Sequence, residues 1–340
     1  MNEINSTQDN AASRSSVEAE FQHLAEPYQH ELLVHCYRIL ASMEDAEDAL
    51  QETMLRAWRR LDSLKDPSAM RAWLYKIATN VSLDMLDNRK KRSMPNRLYP
   101  SADPRLPLPA PINDPIWIDP LPDWYLGGQI PSPEARYEAR ESVTLAFLIV
   151  LQELPGRQRA VLILHDVLGW KAQEVAALLD ITIAAVNSSL QRARATLKKN
   201  HYSPKSPGRV GVDSSESADL LVRYVEAWET ADSARLTSLL REDAILSMPP
   251  VPAWYQGRNR IKEFLDSFLF KREAQRRFRL VATRANGCPA FAVYQLDDSG
   301  SYQPAALQIL IIEGGQIVRI DDFLALDEKL FARFKLPGAI

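Results

Sequence analysis

Cysteine is almost absent: Cys36 and Cys288 are the only two in 340 residues, far apart and without a pairing pattern. That excludes a disulfide framework and a thiolate metal site, and it points to a reducing compartment. Long apolar runs are missing too. Stretches such as Val143 to Leu151 and Ala305 to Ile312 fall well short of the roughly 20 residues a bilayer-spanning helix needs, so no membrane partner is expected. Histidine is missing from the last third. The five histidines stand at 23, 30, 35, 165 and 201, which removes imidazole general bases and histidine metal ligands from everything downstream. Charge of one sign is not in excess either: the net value is −3, so binding to nucleic acid has to be argued from where cations sit. Residues 1–16 lack both a basic start and an apolar stretch and read as a disordered tail, not a signal peptide; with the cysteine usage this predicts a cytoplasmic protein.

What is present organises the chain into segments. Hydrophobic residues make up 46% of it, enough for two or three packed domains. From 17 to 92 apolar residues recur every three to four positions without strand-like alternation, which predicts an all-α domain. From 93 to 133 prolines stand at 95, 100, 104, 107, 109, 111, 115, 120, 122, 131 and 133, a density that blocks helices and predicts an extended linker. Helical periodicity returns over 134–201, a polar hinge with Pro204, Pro207, Gly208 and Gly211 occupies 202–217, and 218–336 opens with helices and ends in strand-like runs.

Three helical surfaces carry chemistry. Met43, Ala46, Leu50, Met54, Ala57 and Leu61 form a buried stripe, while Asp45, Asp48 and Glu52, with Gln51 beside them, share another face. Carboxylates grouped this way repel one another and suit a basic partner surface better than they suit helix stability. The next helix buries Trp73, Leu74, Ile77, Val81 and Leu86 by spacing and leaves Arg71, Lys76, Asn80 and the run Arg89, Lys90, Lys91, Arg92 exposed. Four consecutive cations exceed what the helix dipole asks for at a C-terminus, and phosphate contact accounts for them better. In residues 154–199, Gly169 ends one helix, Asp180-Ile181-Thr182 makes a turn, and Thr182 is placed as the N-cap of a last helix whose stripe is Val186, Leu190, Ala193 and Leu197. Asn187, Ser188, Gln191, Arg192 and Arg194 lie opposite, a set suited to base edges and phosphates in a major groove.

These stretches carry a resemblance. DAEDALQETMLRAW, from Asp45 to Trp58, resembles the region-two helix of extracytoplasmic-function sigma factors of the sigma-70 family, and LPGRQRAV and SLQRARATL resemble region four. The resemblance implies that Asp45, Asp48, Gln51 and Glu52 dock on the clamp-helix coiled coil of core RNA polymerase. It implies that Asn80 and its neighbours capture single-stranded bases of a melted minus-ten element, with Arg89 to Arg92 on the backbone. It further implies that the last helix reads the double-stranded minus-thirty-five element, and that the linker, with Trp117, Asp119, Asp123 and Trp124, threads the polymerase cleft. One departure is visible: Asp180 stands where the turn often has glycine, and aspartate tolerates the left-handed conformation required there.

Residues 219–334, with RYVEAWETADSARL and WYQGRNRIKEFLDSF, resemble the SnoaL-like domain, which implies a cone-shaped curved sheet of the α+β class enclosing a pocket. Trp254, Tyr255, Asp321 and Asp322 are its candidate pocket residues, with Asp243 and Arg258 as further possibilities for carboxylate chemistry and the pocket mouth. Regulation in cis, by packing on the rest of the chain or by sensing a small molecule, is the role this resemblance implies; the ligand and any anti-sigma partner stay open. Two other readings compete. A one-component ligand-sensing regulator leaves the acidic helix unexplained, and a SnoaL-type cyclase or hydrolase would work without histidine. No metal, no cofactor and no enzymatic activity are expected.

Overall fold

The computed structural model describes residues 21, 24–87, 89–112, 114, 116–126, 142–200, 215–270 and 277–340. The expected tail (1–16), the hinge over 202–214, the helical start over 134–141, and Pro131 and Pro133 lie outside the described residues. The chain divides into two compact units. One comprises residues up to 91, 125–126 and 150–200, the other 92–124, 142–149 and 215–340.

The first unit is all helical. Helix α1 (Gln29–Leu40) stops at Ala41, whose φ of 56° is left-handed. Ser42 then caps α2 (Met43–Arg59), its Oγ accepting from the Asp45 amide at 3.3 Å, with Glu44 and Asp45 in the favourable first turn. The buried stripe of α2 is Met43, Ala46, Ala49, Thr53 and Ala57, not the larger residues the spacing suggested, since Leu50 and Met54 are only half-buried. Small side chains on that stripe let α1 and α3 (Met70–Asp87) approach closely. In α3, Leu74, Ile77 and Val81 are buried as expected, whereas Trp73 and Leu86 are half-buried. His35 of α1 is tied to Thr79 Oγ1 of α3 at 2.8 Å, and burial, helped by Arg38 and Arg71, lowers its pKa to about 3, so the ring is neutral.

Four further helices complete the unit: the end of α4 (Leu145–Gln152), α5 (Gly156–Leu162) running into a π-helical turn at Ile163–Val167, α6 (Ala172–Leu179) and α7 (Ile183–Lys199). Asp180 takes the left-handed φ of 54° that the tight turn requires, and Thr182 Oγ1 accepts from the Ala185 amide at 3.1 Å, as its position predicts. Val186, Leu190, Ala193 and Leu197 are buried with Ser189. Gly156 matters here by size: a Cβ would stand 3.1 Å from Leu83 and 3.2 Å from Leu86, so its absence lets α5 meet α3.

The second unit is built on one six-stranded sheet: β1 (Leu240–Ser247), β2 (Trp254–Gln256), β3 (Phe278–Ala285), β4 (Cys288–Leu296), β5 (Tyr302–Glu313) and β6 (Gln316–Leu324), in spatial order β2-β1-β6-β5-β4-β3. Only the β1–β6 pair is parallel. Register shifts at Val293/Tyr294 and Ile311/Ile312 are bulges that bend the sheet. The turns Asn286–Gly287 and Gly314–Gly315 have positive φ throughout, the backbone that two-residue hairpins favour. Helices α8 (Ser215–Glu229), α9 (Ser233–Ser238) and α10 (Arg258–Phe264) close one face over a core that includes Tyr224, Trp228, Tyr255, Phe264, Phe291 and Leu310. Phe331 of α11 (Lys329–Arg333) packs with Ala292 and Tyr294 in a smaller cluster.

The proline-rich segment departs from the extended linker expected of it. Residues 92–124 belong to the second unit and are hydrogen-bonded onto the sheet. The Trp254 indole donates to Tyr99 O at 2.8 Å, the Ala102 amide to Trp254 O at 2.9 Å, and the Ile112 amide to Pro250 O at 3.0 Å. Asn286 binds Leu121 through both its backbone and its side chain, and Asp123 pairs with Arg284 at 3.0 Å. Proline density predicted the loss of helix; it gave no sign that the remaining amides would find partners on a sheet.

Candidate functional site

In the first unit the acidic face of α2 splits. Asp48 and Gln51 are exposed and Glu52 is half-buried, bound to Arg56 at 2.6 Å, with Arg56 reaching on to Asp84 at 3.2 Å. Asp45, by contrast, is 3% exposed and ion-paired with Arg89. The sequence pattern put Asp45 on the outer face because it is three and seven residues from Asp48 and Glu52, but the N-terminal turn of α2 is covered by the chain leaving α3. Asp45 and Arg89 therefore satisfy each other.

The cations expected on α3 and after it also divide. Arg71 donates to Glu31 through Nε at 2.9 Å and Nη2 at 2.8 Å. Lys76 meets Asp180 at 2.8 Å and Lys91 meets Glu153 at 2.6 Å. Asn80 and Lys90 are exposed. Arg92 is not: it belongs to the second unit, is 7% exposed, and donates to Trp117 O at 2.9 Å. The exposed basic run is thus Arg89 to Lys91, one residue shorter than expected.

On α7 the outward face carries Thr182, Asn187, Gln191 and Arg192, with Ser188 half-buried and accepting from Arg192 Nη1 at 2.9 Å. Arg194 points elsewhere. It grips Asp166 through two hydrogen bonds of 2.9 and 2.6 Å, and although burial works against it, Asp166 is held below the usual carboxylate range by Arg194 and His165. Sequence reasoning missed Ile183, 48% exposed at the first turn of α7 beside that polar face; standing three residues before Val186, it continues the apolar spacing, so periodicity assigns it to the buried stripe and gives no signal of its exposure. It also missed Arg159 of α5. This buried guanidinium donates to Ile39 O, to Gln152 Oε1 at 2.7 Å and to Leu154 O at 3.1 Å, and so joins α1 to the α4–α5 connection. Burial lowers its pKa to about 10, still far above neutrality.

The four candidate pocket residues of the second unit do not converge. Trp254 faces the 92–124 segment and Tyr255 the core, where it stacks on Phe264 at 4.5 Å. Asp321 is fully buried against Arg319, with nitrogen–oxygen distances of 2.7 to 2.9 Å, and Arg319 reaches Asn96 at 3.0 Å. Asp322, one residue on, must face the other side of the sheet. There it lies opposite Gln308 of β5, 4% exposed, and burial raises its pKa to about 7, an effect reduced by Gln308 and added to by Asp321. Asp243 is at the surface, paired with Arg241. Among the described residues no cluster of histidine, cysteine and carboxylates has the arrangement of a metal site, and no helix is long and apolar enough to cross a membrane.

Comparison with known proteins agrees with this division. Residues 24–92 match the family model for sigma-70 region 2, residues 145–197 that for sigma-70 region 4, and residues 221–320 that for the SnoaL-like domain. Over 323 residues, 94% of this chain and 85% of the relative, the sequence is 40% identical to the ECF RNA polymerase sigma factor SigG of Mycobacterium tuberculosis. It is 27% identical to the ECF RNA polymerase sigma factor SigW of Bacillus subtilis over 53% of this chain and 87% of that protein. Among solved structures, that of the Mycobacterium tuberculosis extracytoplasmic function sigma factor SigJ superposes with a TM-score of 0.57 at 22% identity, covering 94% of this chain and 99% of that one, which shows a shared fold.

Proposed function

The chain belongs to the extracytoplasmic-function sigma factors, and from that premise we propose that it binds core RNA polymerase and directs initiation at particular promoters, using Asp48, Gln51 and Glu52 for the polymerase and α7 for double-stranded promoter DNA. The observation that carries the reading is α7 itself: a capped helix whose exposed face combines Thr182, Ile183, Asn187, Gln191 and Arg192, polar groups for base edges, one aliphatic group for a thymine methyl and one cation for phosphate. Asn80, with Lys90 and Lys91, is the corresponding set for a melted strand.

The sheet domain acts in this reading as a regulator in cis and not as a catalyst. Support comes from the grip on residues 92–124, which join the two sigma regions in sequence. Tyr99, Ala102, Ile112, Leu121 and Asp123 are all bonded to the sheet or its turns, so whatever alters that domain alters the connection. In vitro transcription with purified core polymerase over a promoter library tests both parts. Promoter-specific transcripts from the full chain are expected, and Trp254→Phe with Asn286→Ala, which loosens the grip, is expected to change their yield. Absence of transcripts together with absence of polymerase binding overturns the reading.

A further inference from the structure

At the β2 edge of the sheet the surface opens into a cleft of about 430 Å3, lined by Glu242, Gln256, Gly257, Arg258, Asn259 and Arg260. None of these residues belongs to the core under the helices. The shape of the cleft follows from local backbone. β1 leaves register with β6 between Leu240 and Ile245, and Glu242 stands in that irregular stretch. Gly257 follows β2 with a φ of 93°, its amide donating to Ala244 O at 2.8 Å. A Cβ there would stand 3.6 Å from Glu242 O on a backbone that L residues rarely adopt, so glycine permits the sharp turn that sets the start of α10 beside β1.

The charges that line it are unmatched. Arg258 is half-buried, and its Nε is shut off from solvent without a hydrogen-bond partner. Among the described residues its guanidinium meets no carboxylate, whereas Arg284 and Arg319 of the same unit, also half-buried, each hold one. Glu242 lines the same cleft without reaching Arg258, and its carboxylate has no ion-pair partner among the described residues. Arg260 makes one long hydrogen bond, from Nη1 to Ser101 Oγ at 3.3 Å; Asp103, within electrostatic reach of it, is taken by Arg105 through bonds of 3.0 and 2.8 Å. Gln256 and Asn259 add two exposed amides that both donate and accept. Buried polar atoms are almost always paired, and a guanidinium is matched best by a carboxylate in bidentate geometry.

Two guanidinium groups and one carboxylate around a single cleft are the converse of an acidic amino acid, which carries two carboxylates and one ammonium. We propose that the cleft binds a free acidic α-amino acid of the glutamate type, with its carboxylates on Arg258 and Arg260 and its ammonium on Glu242. Gln256 and Asn259 complete the hydrogen bonds. A plain dicarboxylate would leave Glu242 facing like charge, and a plain cation would leave both arginines unmet. The inference goes beyond the regulatory reading above and rests on it only for its consequence in transcription. Arg260 is the side chain that bonds Ser101 of the 92–124 segment, so a ligand that engages Arg260 takes it from that segment.

The test is calorimetric titration of the full chain with L-glutamate, with glutarate, which lacks the ammonium, and with 4-aminobutanoate, which lacks the α-carboxylate. L-Glutamate is expected to bind, and each analogue to bind about tenfold more weakly or worse. Glu242→Gln is expected to remove the preference for L-glutamate over glutarate, a change that a merely structural role would not produce. Arg258→Gln is expected to weaken L-glutamate binding about tenfold or more, with Arg260→Gln as the same test at an exposed position; thermal melts show that each variant is folded. Equal affinity for L-glutamate and glutarate, an unchanged preference in Glu242→Gln, or no binding with a Kd below about 10 mM overturns the proposal. Transcription by the original and the Arg258→Gln chain in the same L-glutamate buffer separates the site from the regulatory reading. Binding without a difference in transcript yield removes the regulatory consequence and leaves the site, while an effect of the Trp254 and Asn286 substitutions without L-glutamate binding removes the site and leaves the regulation.

Discussion

Lys76 Nζ stands 2.8 Å from Asp180 Oδ1, so a cation of the helix that carries Asn80 is held by the turn of the helix-turn-helix. Both side chains are substantially exposed, and such a pair contributes at most about 1 kcal/mol. The ring contact of Tyr75 on α3 with Trp170 just before α6, at 5.3 Å, holds the same elements together independently of that pair. The Lys76 pair is therefore weak enough to exchange for another anionic partner. Asp180→Gly, which suits the left-handed backbone equally well, is expected to leave stability within about 1 kcal/mol of the original. A larger loss in denaturant titration would mean that Asp180 holds more than this pair.

The salt dependence of promoter binding distinguishes the two arginines of α7. Each cation that neutralises a phosphate adds about 0.9 to the slope of log affinity against log salt. Arg192 is exposed and bonded to Ser188, a neutral partner, so Arg192→Ala is expected to lower the slope by about that amount. Arg194 is already neutralised by Asp166, and Arg194→Ala is expected to leave the slope unchanged and cost stability instead. A fall in slope for Arg194→Ala would show that it leaves Asp166 for DNA.

Arg159 supplies a stability prediction. Its guanidinium fork bonds three carbonyl groups and an amide oxygen, and lysine cannot reproduce that geometry. Both Arg159→Lys and Arg159→Leu are expected to destabilise the first unit, the latter by about 3–5 kcal/mol because it orphans buried acceptors. Equilibrium unfolding in urea measures it.

Charge reversal on α2 separates interface from scaffold. Asp48→Lys with Glu52→Lys is expected to weaken binding to core polymerase with the fold retained, since Asp48 is exposed and Glu52 bonds only within its own surface network. Asp45→Ala should do the opposite, lowering stability by about 1–3 kcal/mol through the loss of a buried partner for Arg89. Unchanged polymerase affinity in the first variant removes Asp48 and Glu52 from the interface.

How much of this was legible in the sequence follows from the range of each interaction. Thr182 as a cap, Asp180 in the turn and the stripe from Val186 to Leu197 are set by residues within one or two helical turns, and periodicity carries that information. Asp45 and Arg194 were misread because helical spacing gives an angle around one axis, whereas their partners arrive from 44 and 28 residues away. Arg159 was hidden for the same reason, with Ile39 at a separation of 120. The 92–124 segment shows the limit from the other side: prolines exclude a helix but do not say which surface receives the remaining amides. Asp321 and Asp322 are different, since strand alternation alone forbids adjacent residues from sharing a face, and that signal was available.

Asp322 gives the pH dependence. Its carboxyl titrates near pH 7 in the folded chain because burial disfavours the charged form, against an ordinary value of 3.8. Between those values the folded state keeps a proton that the unfolded state has released, so stability falls as pH rises through that window and the loss is complete above pH 7. Three pKa units correspond to about 4 kcal/mol, an upper bound for a group that relaxation and water partly relieve. Asp322→Asn, neutral at every pH, is expected to be less stable than or equal to the original chain at pH 5 and more stable at pH 8.5. Urea unfolding of both chains at those two pH values measures the difference. If the variant and the original lose stability in parallel, a group other than Asp322 governs the window; if they cross, the helix-covered face of the sheet carries a carboxyl that changes charge near neutrality, and one of its oxygens has no hydrogen-bond partner.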